Sequence, residues 1–130
     1  MSEIKKSESI TESKSIIEQI KDEPVIKPLV AVYEDENNYY LLAQLPGVKK
    51  ENIQLKIEDD NLIIAGKSEL AAEANRKYLF AEMSIANYYR RFNLAETIDS
   101  TKIEGSYENG VLTVKLPKIE SIKPRIININ

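Results

Sequence analysis

Apolar and polar positions alternate with period two over much of the chain from Leu29 onward, the spacing that turns one side of a β-strand inward and the other outward. Val30 and Val32 alternate with Ala31 and Tyr33, Glu34 to Asn38 supply a turn, and Tyr39 to Leu45 return as a second strand closed by Pro46-Gly47. Ile53, Leu55 and Ile57 alternate with Gln54, Lys56 and Glu58. Asp59-Asp60-Asn61 then reverses the chain and Leu62 to Ala65 runs back before Gly66, which predicts a second hairpin. Ser68 to Lys77 is rich in alanine and glutamate, with room for a helical turn; Tyr78 to Phe80, Tyr88 to Leu94, Lys102 to Tyr107 and Val111 to Leu116 read as further short strands. Between the last two, Asn109-Gly110 suits a tight reversal because both residues tolerate positive φ. Many short strands with little helix predict an all-β sandwich of two sheets.

The two ends break this rhythm. Residues 1–28 hold no aromatic residue and no glycine and read as an arm ahead of the tyrosine-rich body. Within it, Ile10, Ile16, Ile17 and Ile20 recur near helical spacing behind Ser9, Thr11 and Glu12, predicting a short amphipathic helix around 9–21. So short a helix is marginal by itself. Two alternatives stay open: a solvated arm with fluctuating helix, or a helix docked on a partner or on its own body. Pro24 and Pro28 punctuate its exit. At the other end Pro117 and Pro124 bracket a polar linker, followed by Arg125-Ile126-Ile127-Asn128-Ile129-Asn130. In an extended tail Ile127 and Ile129 fall on one side as paired knobs, with Asn128 facing away. The alternative is a last strand packed in the parent core. Pro124 and the polar positions before it favour a mobile linker with a sticky end, whose receptor is an apolar groove at the rim of a sheet.

A length of 130 residues suits one domain. The chain has no cysteine and no histidine, which removes disulfides, thiolate nucleophiles, imidazole bases and Cys- or His-ligated metals. Eighteen basic against 21 acidic residues give a net charge of −3 and no large positive field to gather phosphate, so nucleic acid is not an expected partner. No apolar run approaches the ~20 residues that span a bilayer, and Met1 to Glu8 lacks a basic region followed by an apolar stretch; the expectation is a cytoplasmic protein with no membrane span. Glu34-Asp35-Glu36 and Glu58-Asp59-Asp60 fall in predicted turns without the ligand spacing of a calcium loop. Gly66-Lys67 has Asn61 where a phosphate-cradling loop needs its first glycine. Serines, threonines and lysines have no base placed beside them by any motif. No catalytic residue, metal or cofactor is therefore expected, and the chain does not read as an enzyme. Arg90 and Arg91 point to opposite faces of their strand, which suits ion pairing within the fold or across a subunit boundary better than a basic patch.

Leu45-Pro46-Gly47-Val48 followed by Glu51-Asn52-Ile53, then Gly105-Ser106-Tyr107-Glu108-Asn109-Gly110-Val111-Leu112, and finally Ile127-Asn128-Ile129 together resemble the small heat-shock protein family in its bacterial type. The likeness covers about Leu29 to Asn130. It implies an arm over 1–28, an α-crystallin domain of immunoglobulin-like sandwich form over 29–118, and a tail with an Ile-x-Ile motif over 119–130. It also implies an ATP-independent chaperone that holds unfolding client proteins and limits their aggregation, with hand-over to ATP-dependent chaperones as a further expectation.

By the same resemblance, dimers form by strand exchange through a long loop, and higher homo-oligomers follow. Tyr78, Leu79 and Phe80 match the exchanged segment, Arg90 matches an arginine at the dimer boundary, and Glu82 is its candidate partner. Asn109, Gly110, Val111 and Leu112 form the signature turn. Ile127 and Ile129 are implied to enter a groove on another subunit formed by Ile53, Leu55, Ile57, Ile103, Gly105 and Tyr107. Two positions depart from the family pattern: Gly105 stands where the signature has alanine, and the arm lacks the aromatic residues that family arms usually carry. The competing readings are a monomeric CS-domain-like co-chaperone or adaptor, and an enzyme on a sandwich scaffold.

Overall fold

A computed structural model of the chain describes residues 15–69, 79–80 and 86–130. It begins with a five-residue helix, α1 (Ile16–Ile20), whose N-cap Ser15 accepts a hydrogen bond from the Glu18 amide. Eight strands follow: β1 (Val25–Ile26), β2 (Val30–Glu34), β3 (Asn38–Gln44), β4 (Val48–Glu58), β5 (Asn61–Ser68), β6 (Asn87–Asn93), β7 (Glu104–Glu108) and β8 (Val111–Pro117). They form two four-stranded sheets, sheet A in the order β1-β6-β5-β4 and sheet B in the order β2-β3-β8-β7. All pairings are antiparallel except β1 with β6.

Alternation drives the packing. Leu41, Ala43 and Leu45 of β3 and its extension, with Leu112, Val114 and Leu116 of β8, turn one side of sheet B towards Leu62, Ile64 and Tyr88 of sheet A, and together they make the core. The expected turns close the hairpins: Asp59 and Asp60 take φ of 50° and 61°, Asn109 and Gly110 take 51° and 78°. Between β2 and β3, the Asp35 carboxylate accepts from the Asn37 and Asn38 amides at 2.9 and 2.7 Å, a side-chain substitute for backbone turn bonds.

The structure departs from the sequence expectations in three places. Lys102 lies in a 3-10 turn, Ser100–Lys102, and the strand starts only at Glu104. Asp99 explains it, since its carboxylate accepts from both the amide and the hydroxyl of Thr101 and caps a turn where strand periodicity predicts extension. The helix covers Ile16–Ile20; the earlier part of the expected 9–21 span lies outside the described residues. Leu79 and Phe80 belong to no strand, and Tyr78 and Glu82 lie outside the described residues.

Candidate interaction surfaces at the sandwich edges

The sheet orders place β4 and β7 at one side of the sandwich and β1 and β2 at the other. At the first side the two edge strands do not pair with each other, and a hollow of about 360 Å³ opens between them, lined by Lys50, Ile53, Leu55, Gly105, Ser106, Tyr107 and Leu112. Four of the six predicted groove residues, Ile53, Leu55, Gly105 and Tyr107, thus come together. The other two do not. Ile57 is exposed at the far end of β4, beside the Asp59-Asp60 turn. Ile103 precedes β7, set there by the capped 3-10 turn, and lines a separate polar hollow with Lys102, Lys115 and Lys123.

Two of the sequence motifs interlock to build this side. The Leu45 amide donates to the Gly110 carbonyl at 2.8 Å, and the Tyr107 hydroxyl reaches the carbonyl oxygens of Leu45 and Val48 at 2.9 and 2.6 Å. The Leu45-Pro46-Gly47-Val48 turn, with Gly47 at φ 79°, is therefore tied to the Asn109-Gly110 reversal. Burial, with a smaller push from Tyr88, holds the Tyr107 phenol above its ordinary pKa, so it stays neutral as a donor. Gly105 faces Leu55: a Cβ there would stand 2.7 Å from Leu55 Cδ1. The leucine tip occupies the room that an alanine methyl would need, so the missing methyl leaves no slack in this strand. Lys50, Ser106 and Leu112 escaped the sequence prediction; Leu112 was legible as an inward position of β8, whereas Lys50 falls where the β4 register shifts between Val48 and Ile53.

At the opposite side β2 is the last strand of sheet B, with Ala31 to Glu34 exposed. Among the described residues no strand pairs with its outer row of backbone groups, the kind of edge that accepts an added strand. Arg90 lies here, donating from Nη1 to the Pro28 carbonyl at 3.1 Å and stacking over the Phe92 ring at 4.8 Å. Among the described residues it forms no ion pair. Leu79 and Phe80 are 92% and 80% exposed, large apolar side chains held in water. The tail makes a 3-10 turn at Glu120–Ile122 and then no regular element, with Ile127 and Ile129 74% and 97% exposed and Ile126 equally uncovered. The knobs therefore do not fill the hollow of their own molecule and are not a last strand of its core.

Among the described residues no three acidic side chains converge to hold a metal ion, and no helix is long and apolar enough to cross a membrane. The residues and edges define an α-crystallin type of sandwich, and comparison with known proteins agrees. The model of the Hsp20/alpha crystallin family matches residues 31–130. A probable 15 kDa heat shock protein of Leptospira interrogans is 35% identical over 121 residues, 93% of this chain and 90% of that one. Small heat shock protein C4 of Rickettsia felis is 32% identical, covering 82% of this chain and 66% of its own. Among solved structures, a small heat-shock protein of Xylella fastidiosa, described as having a distinct high order structure, superposes with a TM-score of 0.64 at 29% identity. It covers 81% of this chain and 97% of its own. Heat shock protein 16.0 of Schizosaccharomyces pombe gives 0.62 at 29% identity with the same coverage. The chain belongs to the Hsp20/alpha-crystallin family, the small heat-shock chaperones.

Proposed function

We propose that this chain is a holding chaperone that works without ATP, binding partly unfolded proteins through apolar surface. It assembles through the two sandwich edges, with the 78–80 segment of one copy adding to β2 of another and Ile127 and Ile129 seating in the β4–β7 hollow of a neighbour. One observation carries the reading: the molecule holds both an open apolar hollow and exposed apolar knobs of matching pitch. Ile127 to Ile129 is the same two-residue step that separates Ile53 from Leu55 and Gly105 from Tyr107, about 6 to 7 Å along extended chain.

Seating two isoleucines contributes about 3–6 kcal/mol in gross transfer terms, while ordering each tail residue costs about 1–2 kcal/mol. A single contact is weak. Many contacts in one particle reinforce each other, and the same weakness lets hollows and tails open to a client's apolar segments. Arg90, with Glu82 of a second copy as partner, would add charge pairing at the dimer boundary. No chemical step is required, which fits a chain without histidine or cysteine. The setting is the cytoplasm, where held clients pass to ATP-dependent chaperones. The adaptor alternative is not favoured, because it needs neither the knobs nor the hollow.

Ile127→Ala with Ile129→Ala should shrink the native particle, read by native mass spectrometry, to dimers or other small species. Wild type should suppress aggregation of a heated model client without nucleotide. An unchanged particle mass would sink the tail assignment, and a wild-type protein that leaves the client aggregating would sink the chaperone reading.

A further inference from the structure

Sheet A has apolar side chains on both faces. Leu62 and Ile64 point into the core, and alternation sends Ile63 and Ala65 to the outer face. Both are nevertheless buried, at 2% and 0% exposure, on the face where the chain's own residues 15–26 pack, α1 against β5 and β4 and β1 alongside β6. Ile20 is buried there at 1% exposure, with Ile16 and Ile17 half-buried. The hold is made of few bonds. The Ile17 amide donates to Gln54 Oε1 at 3.0 Å, Lys67 Nζ donates to Gln19 Oε1 at 3.2 Å, and Asn87 Nδ2 donates to the Glu23 carboxylate. Two residues of β1 then pair with β6. A five-residue helix has no stability of its own, so this strap opens at far lower cost than the sheet beneath it.

The two surfaces also match in charge. The strap carries Glu18, Asp22 and Glu23 against Lys21, while the register sets Lys56, Lys67 and Arg91 on the outer face of sheet A with one carboxylate, Glu58, which pairs with Lys56 at 3.6 Å. Among the described residues Arg91 forms no ion pair. The hinge is fixed on the far side: Pro28 is buried and its carbonyl accepts from Arg90, so opening ends before β2 and leaves the sandwich intact.

We infer that the outer face of sheet A is a second client-docking surface, plugged by residues 15–26 until a client displaces them. Its occupant is an acidic amphipathic segment of an unfolding polypeptide, with apolar residues at i and i+4 as Ile16 and Ile20 are. The inference rests on the chaperone reading and adds a site to it.

The test uses the full chain and a fluorescent peptide of residues 15–26 as probe, followed by anisotropy. Ile20→Ala loosens the plug and should raise peptide affinity at least tenfold over wild type. Lys67→Glu with Arg91→Glu in that background should reverse the gain, and reduced, carboxymethylated α-lactalbumin, an acidic unfolded chain, should displace the peptide. If Ile20→Ala does not fold, the surface pair Glu18→Lys with Asp22→Lys loosens the same plug. Affinity unmoved by loosening, or insensitive to the rim charges, overturns the inference. So does a gain in particle mass on loosening, which would make a second copy's strap the occupant. Because anisotropy reads docking without any aggregation assay, loss of the chaperone reading and loss of this site give different results.

Discussion

The outer faces of the two sheets are opposites. On sheet A, Ile63 and Ala65 point outward and are nevertheless fully buried, on a face where α1 packs against β5 and β4. On sheet B the outward positions of β8 are Thr113 and Lys115, half-buried and exposed, with Tyr40 and Leu42 beside them on β3, and among the described residues no element packs above them. The strands themselves account for it. β8 reads Leu112-Thr113-Val114-Lys115-Leu116, strict alternation for a sheet with one wet face. β5 reads Leu62-Ile63-Ile64-Ala65, an apolar run that water cannot cover on either side. Residues 15–26 thus belong to sheet A, with β1 pairing on β6 and α1 packed on β5 and β4.

If that comparison is right, equal surgery on the two faces has unequal cost. Ile63→Ala should lower unfolding free energy by about 2–5 kcal/mol, since it empties a sealed site. Thr113→Ala, the counterpart on the open face, should stay within about 0.5 kcal/mol. Urea titration of both variants decides it, and similar midpoints would mean that α1 covers nothing of consequence. A smaller effect is expected at the polar end of the strap. Asn87 is completely buried, its Oδ1 accepting from the Ser68 amide at 2.9 Å and its Nδ2 donating to Glu23. Asn87→Ala leaves the Ser68 donor unpaired, a loss of about 1–3 kcal/mol. Hydrogen exchange should then show the amide of Ile26 opening well before those of β5; uniform protection would separate Asn87 from the strap.

Much of this was legible in the residues. Period-two alternation located the hairpins, and Asn109-Gly110 marked its turn because few other pairs accept positive φ twice. Once the family resemblance had chosen the two strands, alternation set Ile53, Leu55, Gly105 and Tyr107 on one side. The errors have local causes. Asp99 bonding to Thr101 overrode alternation at Lys102 and moved Ile103 to another hollow. Ile57 shares the phase of Leu55 but lies past the reach of β7, and phase carries no information about where two edges part. The cover on the outer face of β5 had a signal that went unused: four apolar residues in a row after the Asp59-Asp60 turn, with isoleucines at helical spacing left over in the arm.

The weakest lever works on sheet B, and it is electrostatic. The β2–β3 corner is held by Asp35, whose carboxylate accepts from the Asn37 and Asn38 amides and from the Tyr40 hydroxyl, while Lys118 donates to the Asp35 carbonyl and pairs with Glu34 at 2.8 Å. The two amides, more than any charge, hold the Asp35 carboxyl below its ordinary 3.8. A depressed folded pKa means that the contribution is present above the ordinary value and is lost as pH falls through the folded one. Acidification below about pH 4 should therefore shift the Asn37 and Asn38 amide resonances as their acceptor is protonated. The apolar residues Ile20 and Ile63, both buried, have no proton to gain, and their resonances should hold through the same range. Asp35→Asn should remove the acid response at the corner while keeping a side-chain oxygen to accept. If the Ile20 and Ile63 resonances move with the corner, the two faces are coupled through the core, and the covered face is not the independent unit that the comparison makes it.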